Sequence, residues 1–495
     1  MATIETQQRV TLKLMVSKER KKVIFAEAGK DFVDVLFGFM TLPLGTIVRL
    51  VNSKDSNIEA VKVGSLNSLY ESVQNLDEEC LFTDTCKEML LKPRNSMEAY
   101  CKHLKLNIEH AEPSQYFVCN NLLACRYKSS LLLSTSNDKT CTCGNLLAKP
   151  ISLNSNGPHG FVKSNVSFII TDDLHVVPTS MDTFFHLMKN SGIKDMSCVN
   201  EMIVNITQDQ VTNLLKSCLV SETTLTDFFL EEELFYKRLE RVNPSSCDFN
   251  AKDDRKIEVK LMKRKLNGKI VFAQGKEDFA DFLLSFLTLQ LGGVVHLLEG
   301  CSSMGNIDGL YKSIVDLDDV YWTTKEVKNK LVNLGIAPHF KLNNHFLPIH
   351  ESDAPNLFCY TNVQYASHKP GRISSTFLTD CYLTFECKAV QGHLETCKPL
   401  EFIDGVSNSG NGEGFVKGPT MYMVTDGLVV MPMSSISIAS LLKSMGIPFS
   451  GLEEKVVSIG IEEGVSILRA SLTSPSALTN GLGHLLNNNV KRKRK

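Results

Sequence analysis

A stretch that occurs twice is the feature that most constrains how this 495-residue chain can fold. Residues 10–51 align with residues 257–298 at an offset of about 247, and roughly 18 of 42 positions are identical, where unrelated segments would match at about 3. The shared pattern contains KLM, then FA, then DFxDxL, and ends with TLxLG. This pattern predicts a tandem duplication and contains no chemistry that we can assign.

A second shared region follows in each half, at residues 160–227 and 414–481. Both copies begin with GFVK and continue into two β-rich runs that flank an Asp-Asp or Asp-Gly pair, which is typical of a hairpin. Between the two shared regions the copies diverge. The predicted organisation is a first half at 1–235, a linker at 236–256, a second half at 257–485 and a basic tail at 486–495.

The residue spacing predicts the order β-β-α-β in residues 10–51. Two apolar runs are joined by a charged turn, and Phe32, Leu36 and Phe39 then fall on one face of a helix. Pro43 and Gly45 are expected to end that helix before a strand at 47–51. The second shared region has the same order with a helix added. We therefore predict an α+β fold of two homologous halves, each built from β-β-α-β modules with an antiparallel or mixed sheet and packed helices.

Composition narrows the class of protein. The net charge of −2 argues against a broad basic surface, so nucleic-acid binding is not expected. We expect no secretory signal, and fifteen cysteines with irregular spacing then indicate reduced thiols in a cytoplasmic or nuclear protein. The final residues, 491–495, read KRKRK and are similar to a nuclear import signal, although a solvated terminus is an equal alternative.

Residues 279–298 are long enough to span a membrane, but polar residues interrupt them. Asp281, Gln290 and the pair Gly292-Gly293 lie within the stretch. A buried helix followed by a strand explains both this stretch and its first copy, so we predict no membrane segment.

Four cysteines in the first half are the candidate metal ligands. Cys119 and Cys125 form one pair, Cys141 and Cys143 form another, and a polar segment separates the two pairs. Four thiolates can surround zinc tetrahedrally, although the usual spacing has two residues between paired ligands. Ordinary packing of reduced cysteines is the alternative. The second half has cysteines at other spacings, so a ligand set is not duplicated: Cys359, Cys381, Cys387 and Cys397.

Recurring aspartates invite a catalytic interpretation, which we weigh against a structural one. Asp172-Asp173 and Asp426 could act as acid and base, but they lie in a predicted hairpin turn where Asp is favoured by backbone hydrogen bonds. The pairs on the two repeated helices could bind a metal, but a helix cap with a favourable charge in the first turn is simpler. These helix pairs are Asp31 with Asp34, and Asp278 with Asp281. No phosphate-binding loop or hydrolase motif occurs.

Several of these motifs resemble a large flowering-plant family known as domain of unknown function 674. The motifs are FAEAGKDFVDVL at 25–36, LPLGTIVRL at 42–50, FIITDDL at 168–174 and SLTSPSALTNGL at 471–482. The resemblance covers nearly the whole chain and implies a plant protein of tandem repeats. It supplies no catalytic residue.

Three function hypotheses remain open. The first is a non-enzymatic interaction or scaffold protein with an unidentified partner. The second is a structural zinc-binding module that uses the first-half cysteines. The third is a small-molecule enzyme with a site between the halves, an interpretation that rests only on the tendency of sites to lie at domain interfaces.

Overall fold

Three β-sheets and the helices packed on them make up the part of the chain that this computed structural model describes. The described residues are 8–52, 61–108, 115–121, 125, 131–135, 137, 139–151, 160–230, 255–337, 347–350, 358–365, 372–379, 393–402 and 414–486. The strands are β1 (Arg9–Ser17), β2 (Lys22–Ala28), β3 (Tyr116–Val118), β4 (Leu131–Ser134), β5 (Lys149–Ile151), β6 (Phe168–Thr171), β7 (Val176–Pro178), β8 (Val199–Thr207), β9 (Ile257–Arg264), β10 (Ile270–Gly275), β11 (Phe358–Tyr365), β12 (Arg372–Thr379), β13 (His393–Phe402), β14 (Tyr422–Thr425), β15 (Val430–Pro432) and β16 (Leu452–Ile459).

The α-helices of the described residues are numbered in chain order. They are α1 (Lys30–Met40), α2 (Leu44–Val51), α3 (Leu66–Asn75), α4 (Asp84–Leu91), α5 (Glu98–Cys101), α6 (Met181–Asn190), α7 (Val211–Val220), α8 (Thr224–Leu230), α9 (Glu277–Ser285), α10 (Leu291–Leu297), α11 (Ile307–Asp316), α12 (Lys325–Val332), α13 (Ser435–Ser444), α14 (Ile461–Thr473), α15 (Ala477–Gly481) and α16 (Gly483–Leu486). The mixed α+β class predicted from the sequence is confirmed.

Two of the sheets are antiparallel and have five strands in corresponding order. The first is β7-β6-β2-β1-β8, and the second is β15-β14-β10-β9-β16. Strand β1 buries Val10, Leu12 and Leu14 at alternate positions, as a strand with one face on the core must. Each sheet joins strands from both shared regions of its half. The two regions therefore form one sheet rather than two separate modules.

The third sheet combines segments from both halves. Its order is β12-β11-β13-β4-β3-β5, and the neighbours β13 and β4 run parallel. Leu400 pairs with Leu131, and Phe402 pairs with Leu133. All six strands lie between the two shared regions of their half, where the two copies diverge in sequence.

The predicted strand at 47–51 is wrong, because residues 44–51 form helix α2. Pro43 caps the start of α2, where its missing N–H removes no helix hydrogen bond. The second copy of this segment forms α10. The run from Ile47 to Val51 is only five residues long, and so short an apolar run cannot separate a helix from a strand by its periodicity. The order in residues 10–51 is therefore β-β-α-α.

Helices α9 and α10, with the short 3₁₀ helix Phe286–Thr288 between them, account for the stretch that resembled a membrane span. Nearly all of their side chains are buried in the main core. Within the described residues, no helix has both the length and the apolar character that a membrane crossing requires.

One continuous hydrophobic core includes side chains from both halves. The Phe37 ring stacks on the Trp322 ring with centroids 5.4 Å apart. Two backbone hydrogen bonds cross between the halves as a reciprocal pair. The Leu44 N–H donates to Leu289 O at 2.8 Å, and the Leu291 N–H donates to Leu42 O at 2.9 Å. These residues occupy equivalent positions in the two aligned copies.

The aspartates of the repeated helices have a role that the sequence interpretation missed. Asp31 and Asp278 are not N-caps, since the caps are Gly29 and Lys276; both aspartates lie in the first helical turn. One turn further on, Asp34 and Asp281 are buried rather than solvated. Each lies on the face of its helix that meets the GFVK segment of the same half.

Each buried aspartate fixes one GFVK segment, and we call residues 160–163 the first anchor segment and residues 414–417 the second. Asp34 Oδ1 accepts hydrogen bonds from the backbone N–H groups of Phe161 (2.8 Å) and Val162 (3.1 Å). Asp281 Oδ1 accepts from Phe415 (2.8 Å) and Val416 (3.0 Å). The carboxylates therefore supply acceptors for buried backbone donors.

Each anchor segment also pairs with the opposite half. In the first, the Lys163 N–H donates to Tyr321 O, and the Thr323 N–H donates to Phe161 O, both at 2.9 Å. In the second, the Phe82 N–H donates to Phe415 O at 3.0 Å, and the Lys417 N–H donates to Cys80 O at 2.8 Å. The anchor segments thus connect the two halves reciprocally.

The first residue of each anchor segment must lack a side chain. A Cβ added at Gly160 would overlap Asp34 Oδ2, and Gly160 also has a positive φ of 79°. A Cβ at Gly414 would overlap Asp281 Oδ2. The close approach of backbone to carboxylate explains the glycine that begins both GFVK motifs.

We predict that Gly414→Ala lowers the free energy of unfolding by about 1–3 kcal/mol, because the new methyl group displaces the Asp281 carboxylate. Gly483→Ala is the control, since a Cβ there meets nothing within 4 Å. Denaturant unfolding followed by circular dichroism measures both. Equal stability of the two variants would contradict the anchor interpretation.

Candidate metal centre

The candidate metal centre lies at the end of the third sheet, in loops that the strands position. Cys119 directly follows β3, which pairs with both β4 and β5. Cys141 and Cys143 lie at the tip of a hairpin that is closed by the Leu147 N–H donating to Lys139 O at 2.8 Å. The two loops face each other at this end of the sheet.

The four candidate cysteines converge. Their Sγ atoms all lie within 4.8 Å of one another. Cys119 Sγ is 3.4 Å from Cys143 Sγ, and Cys125 Sγ is 3.6 Å from Cys141 Sγ. A metal bound tetrahedrally at about 2.3 Å from each sulfur requires sulfurs roughly 3.8 Å apart. The arrangement fits that requirement and is far too open for disulfide bonds, which are about 2.05 Å long.

Backbone amides point at the sulfurs of the two loops. The backbone N–H of Asn121 donates a hydrogen bond to Cys119 Sγ, and the backbone N–H of Asn145 donates one to Cys143 Sγ. Each donor therefore lies two residues after its cysteine. The Asn145 side chain adds a second bond to Cys143 Sγ at 3.4 Å. Gly144, with φ of +86°, permits the tight turn that aims these groups. Such donors stabilise thiolate sulfur.

Burial raises the pKa of cysteine thiols in this cluster, whereas hydrogen bonds from Asn145 lower the pKa of one of them. The bonds from Asn145 lower the pKa of the exposed Cys143 thiol to about 6. Burial raises the pKa of Cys119 and of Cys125 above the ordinary value for cysteine. A cation among the four sulfurs would offset that desolvation. The cluster could therefore hold a metal ion such as zinc.

A small core surrounds the cluster and is separate from the main one. It contains three of the cysteines and five aliphatic side chains: Val118, Leu131, Leu133, Leu147 and Ile151. So few apolar side chains bury little surface, and small units of this size usually need a metal or disulfides to stay folded.

The second-half cysteines do not repeat this arrangement in the described residues. Cys359 and Cys397 lie on the paired strands β11 and β13, where Cys397 is opposite Tyr360. Cys381 and Cys387 lie outside the described residues, as do residues 491–495 of the basic tail. The import-signal interpretation of that tail stays a prediction.

The hairpin aspartates serve as structural acceptors. Asp172 Oδ1 accepts from the Thr226 N–H at 2.8 Å, and its Oδ2 accepts from Thr226 Oγ1 at 2.7 Å. Thr226 Oγ1 in turn accepts from the Val23 N–H at 2.9 Å. Asp172 lies in the predicted turn, but its carboxylate bonds Thr226 rather than the backbone of the turn, and it thereby ties the β6–β7 hairpin to α8.

The second half repeats this connection with equivalent residues. Asp426 Oδ1 accepts from the Thr479 N–H at 2.7 Å, and Thr479 Oγ1 accepts from the Ile270 N–H at 2.9 Å. Sequence reasoning missed both threonines. The signal was available, because Thr479 lies in the SLTSPSALTNGL motif and Thr226 occupies the matching position.

The fold and the cluster define an α+β protein with four cysteines that could hold a metal ion. The family described as "Protein of unknown function (DUF674)" matches residues 6–463, so the chain belongs to that family, and the resemblance inferred from its motifs is confirmed. No curated protein and no solved structure matches the chain. Membership in this family assigns no activity.

We predict that the reduced, metal-free protein binds one Co²⁺ with the strong thiolate-to-metal absorption and visible d–d bands of a tetrahedral four-sulfur site. Cys143→Ser should weaken that absorption by about a quarter or abolish binding, because it removes one of four ligands. Cys198→Ser is the matched control, since Cys198 is also exposed but lies outside the cluster. An unchanged spectrum in Cys143→Ser would exclude that residue as a ligand.

Proposed function

We propose that this chain is a non-enzymatic scaffold protein in which Cys119, Cys125, Cys141 and Cys143 bind one structural zinc ion. The observation that carries the proposal is the convergence of four sulfur atoms within 4.8 Å. Thiolates favour soft or borderline metals, and tetrahedral sulfur ligation is typical of zinc and of iron–sulfur centres. Four protein ligands leave no open position for substrate, which is the property of structural rather than catalytic zinc sites.

The zinc ion would stabilise the third sheet. The cluster draws together the ends of β3 and the 139–147 hairpin, while β4 from the same small unit pairs with β13 of the second half. Metal binding would therefore favour the docking of residues 393–402 as well as the folding of residues 116–151. Binding energy becomes folding energy when the site exists only in the folded state.

The roles of the recurring carboxylates support a scaffold over an enzyme. Asp34, Asp281, Asp172 and Asp426 all accept backbone hydrogen bonds that join separate parts of the chain. Side-chain hydrogen bonds also join the halves, for example from Ser96 Oγ to Gln290 Oε1 at 2.8 Å and from Asn306 Nδ2 to Thr224 Oγ1 at 3.0 Å. Robust turnover of common hydrolase or transferase substrates would overturn the non-enzymatic assignment.

We also propose that the two halves, 1–235 and 257–485, descend from one ancestral unit. Three observations support this. The repeated sequence recurs at a near-constant offset, the two five-stranded sheets have corresponding strand orders, and the reciprocal contacts use equivalent residues. The spacing of the four first-half cysteines has no counterpart in the sequence of the second half, so the first half would have gained this cysteine set, or the second half lost it, after duplication.

We predict that the protein purified without chelator contains about one zinc per chain, and that less than about 0.3 zinc excludes the proposal. Removing the metal should increase hydrogen exchange in residues 116–151 and 393–402, because these segments depend on the small core. Exchange in β1, β2, β9 and β10 should change little. Cys119→Ser should reproduce the effect of the chelator, and Cys301→Ser should not. Iron in place of zinc would contradict the choice of metal.

A further inference from the structure

Positive charge is concentrated at one end of each five-stranded sheet. In the second half, residues 263–270 read KRKLNGKI and form the turn between β9 and β10, while residues 443–451 read KSMGIPFSG and lead from α13 into β16. Together they contain five basic residues and no acidic one. The equivalent stretches of the first half, 17–23 and 189–198, contain six basic and two acidic residues. Because the whole chain has a net charge of −2, the rest of the protein is acidic.

Hydrogen bonds join the two stretches of the second half into one unit, residues 263–270 with 443–451, which we call the second-half tip. The Lys265 N–H donates to Gly451 O at 2.9 Å, and Lys265 Nζ donates to Ser450 O at 2.7 Å. Arg264 Nη2 donates to Met445 O at 3.5 Å. The acceptors are uncharged carbonyl groups, so these bonds position the two cations without neutralising them.

The tip presents further cations to solvent. Lys265, Lys269 and Lys443 are exposed. Lys263 pairs with Glu453 Oε2 at 3.2 Å, which offsets the charge of this one lysine. The tip therefore has a positive potential that attracts anions.

The same tip exposes large apolar side chains. Leu266 is 94% exposed, Phe449 is 76% exposed and Met445 is 42% exposed. Leu266 directly follows Lys265, and Phe449 directly precedes Ser450, so the bond between Lys265 and Ser450 holds both apolar residues in one tip. None of the three belongs to a hydrophobic core cluster of the described residues. Exposed apolar side chains among cations indicate a surface whose partner has both an anionic and an apolar part.

The first half has the same backbone arrangement with a different apex. The Lys18 N–H donates to Cys198 O at 3.0 Å, which is the equivalent of the backbone bond in the second half. Glu19 occupies the position of Leu266. Folding of this turn therefore does not require an apolar residue at its apex, and the exposed leucine needs another explanation.

We propose that the second-half tip binds the surface of membranes that contain anionic phospholipids. Leu266 and Phe449 enter the boundary between headgroups and acyl chains, and the three exposed lysines contact the anionic headgroups. The contact is peripheral and needs no helix that crosses the bilayer. It is also independent of the proposed zinc ion, because the cysteine cluster lies on the third sheet.

A lipid surface fits the tip better than other polyanions do. In a bilayer, apolar chains lie directly beneath charged headgroups, so an exposed turn with a leucine at its apex and lysines around it meets both parts at once. Single-stranded nucleic acid supplies phosphates, but its bases bind proteins chiefly by stacking on aromatic rings. The aliphatic side chain of Leu266 cannot stack in that way.

The test is sedimentation of the full-length protein with vesicles of phosphatidylcholine, either alone or with about one-third phosphatidylserine. Wild type should bind the anionic vesicles and not the neutral ones, and about 0.5 M salt should weaken binding because it screens the lysine charges. Leu266→Ser should lower the partition coefficient about tenfold, since it removes the inserted side chain. Lys269→Gln should lower it about fivefold. Both side chains are exposed, so neither substitution disturbs the core.

Insertion has a separate readout. Leu266→Trp places an indole at the apex, and its fluorescence should shift to shorter wavelength on anionic vesicles, because the ring leaves water. Ile203→Trp is the matched control, since Ile203 is 67% exposed on β8 and lies outside the tip. Its emission should stay unchanged on the same vesicles.

Three results would overturn the proposal. If Leu266→Ser binds anionic vesicles as tightly as wild type, other basic residues, such as 491–495, adsorb the protein. If the emission of Leu266→Trp does not shift in the bound protein, the apex does not insert. If single-stranded DNA binds wild type and loses affinity in Leu266→Ser to the same extent, the tip is a nucleic-acid site instead.

Discussion

A buried carboxylate that accepts two consecutive backbone N–H groups is the interaction on which the rest of this structure depends. Asp34 and Asp281 each do this for one anchor segment. The anchor residues are buried, so their donors would otherwise lose water without gaining a partner, at a cost of about 1–3 kcal/mol for each group. The carboxylate needs the donors equally, because burying an unpaired charge is more costly still. Removing the carboxylate would leave two buried N–H groups without an acceptor, and removing the N–H groups would leave a buried carboxylate without donors.

The anchor segments turn this local bond into a connection between the halves. Each segment is held by the helix of its own half and pairs on its other side with a short segment of the opposite half. The reciprocal bonds around Pro43 and Gln290 and the Phe37–Trp322 stack lie in the same shared core. The two five-stranded β-sheets, which could have formed separate domains, therefore share one hydrophobic core. The third sheet, which carries the cysteine cluster, is added across both halves.

The sequence predicted much of this arrangement for identifiable physical reasons. The hairpins were found because alternating apolar residues flank turn pairs, and α1 was found because Phe32, Leu36 and Phe39 repeat at helical spacing. Helix α2 was mistaken for a strand because its apolar run is too short for periodicity to decide and because Pro43, taken as a helix end, is the N-cap of a second helix. The role of Asp34 could not be predicted, since the backbone groups that it accepts from, those of Phe161 and Val162, lie more than a hundred residues further along the chain. The cysteine set was predicted by residue type alone; only the fold brings Cys119 and Cys143 to 3.4 Å.

The interlocking of the halves can be measured directly by native-state hydrogen exchange in increasing denaturant, at pH 5 and with zinc present. The slowest amides of β1 and β2 report on the first sheet, and those of β9 and β10 report on the second. If the shared core and the anchor segments make one cooperative unit, both sets will lose protection with the same opening free energy and the same denaturant dependence. Two sets that open at clearly different free energies would show that the halves unfold independently, and the account would be wrong.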